Sequence, residues 1–217
     1  MTMALNVMVL ESEHGAADEA KRELAAAGHV VLECHDPDAP AFPCRGLVDT
    51  ASCPLHAPVI DVALTVRSRV RSQPAPTEDG VRCALMQHVP LVVAGPAALE
   101  PFDGFETTVL DRTYDLVSAV ESAAAAELGA YARRAETVIA QSIGVTGDIH
   151  PSVSVTRRAG GLRVVVRGLD DVARAHRQAA IVRVVGALRQ FDRAARMIDV
   201  EMGDVEMGDV ELGDAPA

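Results

Sequence analysis

The segment from Cys34 to His56, CHDPDAPAFPCRGLVDTASCPLH, collects three of the chain's four cysteines and two of its seven histidines. The fourth, Cys83, follows after 29 intervening residues. Thiolates are the ligands of tetrahedral zinc and of iron–sulfur clusters. Cys34, Cys44, Cys53 and Cys83 are therefore the candidate metal ligands. His35 and His56 stand in reserve, because imidazole also suits zinc. The other gaps, nine and eight residues, lack the C-x2-C knuckle of recognisable zinc motifs. Two further readings stay open beside zinc and iron–sulfur. The cysteines could be small hydrophobes packing a long loop, or a reversible thiol switch.

Other chemistry is sparse. There is no G-x-G-x-x-G, no P-loop and no G-x-S-x-G elbow, and the single lysine, Lys21, independently excludes a P-loop lysine. No nucleotide cofactor is expected. Glu11, Glu13 and His14 follow an apolar run and could do acid–base work, but a solvated loop explains them more simply. His150 and His176 have no partner nearby in sequence and read as surface or packing residues. No catalytic residue is assigned, and the balance leans away from an enzyme.

The elements that must position the thiols come next. Of 217 residues, 49% are apolar but only 3% aromatic, so any core is built from Ala, Val and Leu. One lysine against nineteen arginines, with so much Ala and Val, fits a GC-rich bacterial genome. No run reaches the ~18 apolar residues of a membrane helix. The opening MTMALNVMVLESEHG lacks the basic start of a signal peptide. A cytoplasmic address is expected, where thiols stay reduced or bind metal. Net charge is -11 but uneven. Residues 151–198 hold ten arginines against three acids, while residues 199–217 hold seven acids and no base.

Continuous apolar runs at 5–12, 29–34, 58–67 and 89–95 predict strands buried on both faces of a parallel sheet, with a less secure fifth at 105–111. Helical spacing between the first two runs ends at Gly28, and a short helix precedes the fourth. The fold class expected is α/β, a doubly wound parallel sheet over residues 1–114. The cysteine-rich insertion, 34–56, takes the place of the second crossover helix. In such sheets, residues just past the strand carboxyl ends gather along one edge, where ligands bind. Cys34 closes the second strand, Cys44 and Cys53 lie in the loop leaving it, and Cys83 lies near a helix start facing the same edge. All four thiols are thus expected on one rim.

Residues 115–142 predict one long helix, with Leu116, Val120, Ala124, Leu128, Tyr131, Ala135 and Val138 at spacings of three or four. It could pack only as a core helix, join two domains, or pair with a protein partner or another copy. Residues 143–202 predict a small α+β module. It consists of a hairpin turning at RRAGG, a helix opening on Asp170 and Asp171 with a stripe through Val172, Ala179, Val182, Val185 and Leu188, and the strand MIDVEM. Residues 203–217 repeat DVEMG and are expected to form a disordered acidic tail.

The order of residues 5–127 resembles the receiver domain of bacterial response regulators. VMVLESE resembles its first strand with an acidic end, KRELAAAGHVV its first helix and second strand, VIDVALTV its third strand and VPLVVAG its fourth. The receiver chemistry does not carry over. The position of the phosphoacceptor aspartate falls on Val66, the required lysine has no counterpart, since Lys21 lies in the first helix, and Gly95 stands where Ser or Thr is expected. Glu11 and Glu13 match the acidic positions but have no acceptor to serve.

The residues therefore point to a non-catalytic regulatory or scaffolding protein with a structural metal at the sheet edge. An iron–sulfur or thiol-redox protein using the same site is the alternative. An arginine-mediated binder of nucleic acid or another anionic partner is the third reading, and the shortage of aromatics for stacking disfavours nucleic acid. The missing aspartate and lysine predict that acetyl phosphate will not phosphorylate the chain. An acid-labile, hydroxylamine-sensitive phosphoprotein would contradict that reading of Val66.

Overall fold

In a computed structural model, the structure describes residues 4–36, 40–56, 59–96, 102, 104–105, 108–110, 115–143, 151–158, 161–192 and 197–203. The apolar runs form strands β1 (Asn6–Glu11), β2 (Val30–Glu33), β3 (Val62–Val66), β4 (Leu91–Ala94) and β5 (Thr108–Leu110). They pair in parallel in the order β2-β1-β3-β4-β5. Parallel strands need crossovers that cover both faces. One face packs Val7, Val9, Leu64 and Val92 against α1 (Asp18–Ala26) and the first half of α4 (Leu116–Ile143). The other packs Met8, Leu10, Ala63 and Leu91 against α3 (Gly80–Met86), Ile60 and Cys34. As expected, α1 gives way at Gly28, which takes φ +88°.

The second crossover has only a four-residue helix, α2 (Arg45–Val48), and a 3-10 turn at Thr50–Ser52, capped by Asp49, whose Oδ1 accepts from Ala51 N at 3.1 Å. No described helix is long and apolar enough to cross a membrane.

A second, three-stranded sheet joins β6 (Ser152–Arg158) and β7 (Gly161–Arg167) antiparallel, with β8 (Met197–Met202) parallel to β7. Its core gathers Val155, Leu162, Val164, Val166 and Ile198 beneath α5 (Arg174–Phe191) and the second half of α4. The helix α5 departs from expectation in two ways. It begins at Arg174, with Asp170 and Asp171 left in the preceding turn, where Val172 N bonds Leu169 O at 3.0 Å. Its buried positions are Ala180, Val184 and Leu188, while Val182 is 71% exposed. In a helix this rich in Ala and Val, neighbouring stripes are equally apolar, and tertiary packing selects between them. Of the expected turn RRAGG, Arg157 and Arg158 belong to β6 and Gly161 to β7, while residues 159–160 and those beyond 203 lie outside the described residues.

The helix α4 joins the two cores. Leu116, Val120, Ala123 and Ala124 belong to the first; Tyr131, Ala135 and Ile139 belong to the second. Between them lies a polar seam. The Arg157 guanidinium, on β6, binds Glu127 Oε1 and donates to His88 O at 3.2 Å, so it ties the second sheet to the α3–β4 loop. The Tyr131 hydroxyl donates to buried Asp192 Oδ2 at 2.8 Å, and its ring meets Phe191 edge-on at 5.1 Å. Burial pushes the Glu127 carboxyl up, against Arg157, and its Oε2 is buried without a hydrogen-bond partner.

Removing one member of a buried, hydrogen-bonded ion pair leaves the other desolvated and uncompensated. Arg157→Ala should therefore lower stability by about 3 kcal/mol in urea denaturation. A loss below about 1 kcal/mol would place the pair with ordinary surface ion pairs instead.

Candidate functional site

The carboxyl edge of the parallel sheet divides into two halves. On the β1/β3 side, Glu13 follows β1 and sits under the loop leaving β3. Its Oε2 accepts from Ser68 N at 3.3 Å and Ser68 Oγ at 2.9 Å, and also from Ser12 Oγ. Its Oε1 accepts from Arg69 Nε at 2.7 Å and Arg71 Nε at 2.6 Å. Burial alone would raise this carboxyl, but the hydrogen bonds from Ser12, Arg69, Arg71 and Ser68 outweigh it and hold it well below the carboxylate range. Glu11 Oε2 accepts from Ala17 N at 3.1 Å, at the start of α1. His14 is largely exposed, 3.9 Å from Glu11 Oε1.

Beside this cluster, Arg67 and Glu78 form an ion pair with both side chains fully buried. Arg67 Nε donates to Oε1 at 2.8 Å and Nη2 to Oε2 at 3.0 Å. Thr65 Oγ1 and Ala75 N add bonds to Glu78 at 2.7 and 2.8 Å, and the guanidinium lies over the Phe102 ring at 5.1 Å. Such bidentate pairing, with the remaining lone pairs satisfied, is what a buried ion pair requires. Arg67 also explains Gly95. At φ +120°, a Cβ on Gly95 would stand 2.1 Å from Arg67 O, so no Ser or Thr fits there.

The thiols occupy the β2/α3 side. Cys34, just past β2, is buried in the core and its thiol lies 3.5 Å from Met8 Sδ. Its carbonyl accepts Arg45 N at 3.0 Å, which brings Cys44 and α2 against the end of β2. A Cβ on Gly46 would stand 2.8 Å from Cys53 Cβ and 3.1 Å from its Sγ. One on Gly80 would stand 3.0 Å from Cys34 Sγ, and Cys83 is one turn further along α3. Backbone without side chains thus cradles two of the sulfurs.

All four cysteines are free. Burial, then repulsion from Cys53, Cys44 and Cys83, pushes the Cys34 thiol up to about 12. Burial and the charges of Cys44, Cys53 and Asp79 also raise Cys83, although its residue is exposed. The four thiols expected on one rim therefore lie within electrostatic range of one another. Among the described residues, no three His, Cys, Asp or Glu side chains are gathered closely enough to hold a metal ion as they stand.

Both His35 ring nitrogens are buried without a hydrogen-bond partner, and burial is the main cause that pushes its pKa down, to the neutral form a metal binds. A cleft of about 350 Å³ opens beside it, lined in part by Asp36, Arg45 and Val48. His56 is exposed, its N donating to Cys53 O at 2.9 Å. His176 lies exposed on α5, and His150 falls outside the described residues. Sequence reasoning missed the Arg67–Glu78 pair and the partners of Glu13. Only the grouping of arginines at 67, 69 and 71 after an apolar strand hinted at them.

No family model matches the chain, and no curated protein is significantly similar to it.

The Glu13 cluster makes a pH-dependent prediction. A carboxyl held below its ordinary 4.5 contributes stability that is fully present above that pH and is lost as pH falls through the folded value. Glu13→Gln should cost about 1.5 kcal/mol at neutral pH, with solvent-exposed Arg69 limiting the loss. The two proteins should converge in denaturation midpoint as pH drops below 4.5. A gap that persists unchanged in acid would refute the assignment.

Proposed function

We propose that this chain is a receiver-like regulatory or scaffolding protein without catalysis, whose cysteine cluster is a structural metal site. The observation that carries the reading is the convergence of Cys34, Cys44, Cys53 and Cys83 at one end of the sheet, where burial and then the thiolate charges of the other three push Cys34 up to about 12. A divalent cation would displace the thiol protons and offset the repulsion that the resulting thiolates would otherwise feel. The donor set fits, since four thiols suffice for a closed structural zinc site. So do the cradles, since Gly46 and Gly80 leave Cys53 and Cys34 room that a Cβ would take. His35, with both nitrogens unpartnered, is the reserve ligand. A metal there would pin the 34–56 insertion to the end of β2 and to α3, where only short helical pieces now hold it.

The regulatory part of the reading draws on the strand order 2-1-3-4-5, one of the common doubly wound orders. It draws also on the occupied edge. Arg69 and Arg71 stand on Glu13, one of the two acidic positions that the receiver resemblance assigns. Val66 is buried at the end of β3 with no acceptor beside it.

Elemental analysis of freshly purified protein tests the site. Zinc in a colourless protein is the expected result; iron with a brown colour would favour the iron–sulfur alternative. Chelation should lower the melting temperature, and Cys44→Ser or Cys53→Ser should each cost well over the ~1 kcal/mol of an average substitution. Zinc titration of the apoprotein should release protons, because a metal must displace the proton of the Cys34 thiol, which burial pushes up to about 12. Wild-type protein that carries no metal, and melts unchanged with added zinc, would end the proposal.

A further inference from the structure

The strand β8 ends in Asp199-Val200-Glu201-Met202, and the chain then repeats those residues. Positions 204–207 are Asp-Val-Glu-Met and 209–212 are Asp-Val-Glu-Leu, each copy preceded by one glycine. In β8, every one of these residues has a defined seat on β7. Asp199 pairs with Arg163, Val200 with Val164, Glu201 with Val165 and Met202 with Val166. Val200 and Met202 pack against the second core. On the outer face, Arg163 Nε donates to Glu201 Oε2 at 3.0 Å. The pairing closes at Gly203, whose N donates to Val166 O at 2.9 Å.

A period of five does not suit a straight continuation of β8. Side chains alternate with period two, and the repeat has period five. Straight continuation past Gly203 would turn Asp204 and Glu206 toward the apolar core and Val205 outward, against the pattern that fixes register. Each copy fits the seat only if the chain moves along β7 by five residues as a unit.

We propose that residues 204–207 and 209–212 are alternative occupants of the β8 seat, so that β8 exchanges register in steps of five residues within one chain. One buried side chain selects the register in the structure. Ile198 is 8% exposed in the second core, and after a shift Gly203 or Gly208 takes its seat. Nothing else is lost at the four seats, except that the last copy replaces Met by Leu. The occupant is the chain's own tail and not a second copy, because a tethered segment stays at millimolar effective concentration beside its own sheet. Lengthening the α5–β8 connection by five residues adds little closure cost. That connection begins at Asp192, the acceptor of the Tyr131 hydroxyl, so register adjusts the slack at the seam between the two cores.

Gly203→Ile tests the exchange. In the present register, a Cβ at 203 would stand 2.9 Å from Val165 Cγ1 and 3.2 Å from Arg167 Cγ. In the shifted register, the new isoleucine takes the Ile198 seat. Hydrogen exchange should then show the Glu206 and Gly208 amides slowed by roughly tenfold or more relative to wild type, in a protein that stays monomeric by size exclusion. Ile198→Asp supplies a second test. The full-length variant should keep its β7 amides protected, and the same variant ending at Gly203 should lose that protection. Truncation after Gly203 alone should leave the wild-type melting temperature unchanged. Unslowed Glu206 and Gly208 amides in Gly203→Ile, or equal loss in Ile198→Asp with and without the tail, would overturn the proposal. So would protection that appears only with dimerisation, or a truncation that itself destabilises the chain.

Discussion

The structure depends on one constraint: the 28-residue helix α4 is buried in two hydrophobic cores at once. At 1.5 Å per residue it runs about 42 Å, more than either sheet can cover. Its small residues, Ala123 and Ala124, let the parallel sheet come close, and Tyr131 begins the second core. Neither unit can turn about the other without unpacking one end of the helix. Where the cores meet, the apolar seal gives way to polar groups. Glu127, Tyr131, Arg157 and Asp192 are each bonded to at least one of the others, and Tyr131 and Asp192 are too buried to rely on water.

A similar economy governs the sheet edge. In doubly wound sheets, the carboxyl edge is where ligands bind, and here half of it is occupied by the chain's own charges. The third strand delivers Arg67 inward and Arg69 and Arg71 outward, and each finds a carboxylate, Glu78 or Glu13. A carboxylate already saturated by two guanidinium groups and two serines has little capacity left for an external cation. What remains of the edge is the thiol half, where burial holds the Cys34 thiol in its neutral form. That contrast concentrates the chemistry on Cys34, Cys44, Cys53 and Cys83.

Much of this architecture was legible in the sequence. Val7–Leu10 and Leu91–Ala94 are uninterrupted apolar runs because both faces of the sheet are covered, and that pattern distinguishes parallel strands from half-exposed ones. Once the strands are ordered, Cys34, Cys44 and Cys83 must fall near one edge. The ion pairs were not legible. Glu13 meets Arg69 and Arg71 across 56 and 58 residues, and no local period announces such a contact. Arg157, expected in the hairpin turn, instead lies in β6. It lies on the strand face opposite Leu162, an apolar register position, where pattern reading expects no charge. Its compensation, Glu127, comes from α4 and is visible only when the two units are packed.

The same contacts revise the charge of the second unit. By sequence it is strongly basic, yet some of its arginines are paired within the structure. Arg157 is spent on Glu127 at the seam, and Arg163 on Glu201 of the neighbouring strand. Asp199 lies opposite Arg163 on the same outer face, so the sheet presents mixed charge and not a uniform stripe. Arg174, Arg183 and Arg189 remain exposed, but they lie along α5 at intervals of nine and six residues. At about 100° per residue, Arg183 points away from Arg174, while Arg189 lies within about 60° of it. A polyanion requires cations aligned along its backbone, whereas an acidic strand needs only one arginine facing it at the right register. The strand β8 already occupies such a position, with Glu201 set against Arg163 of β7.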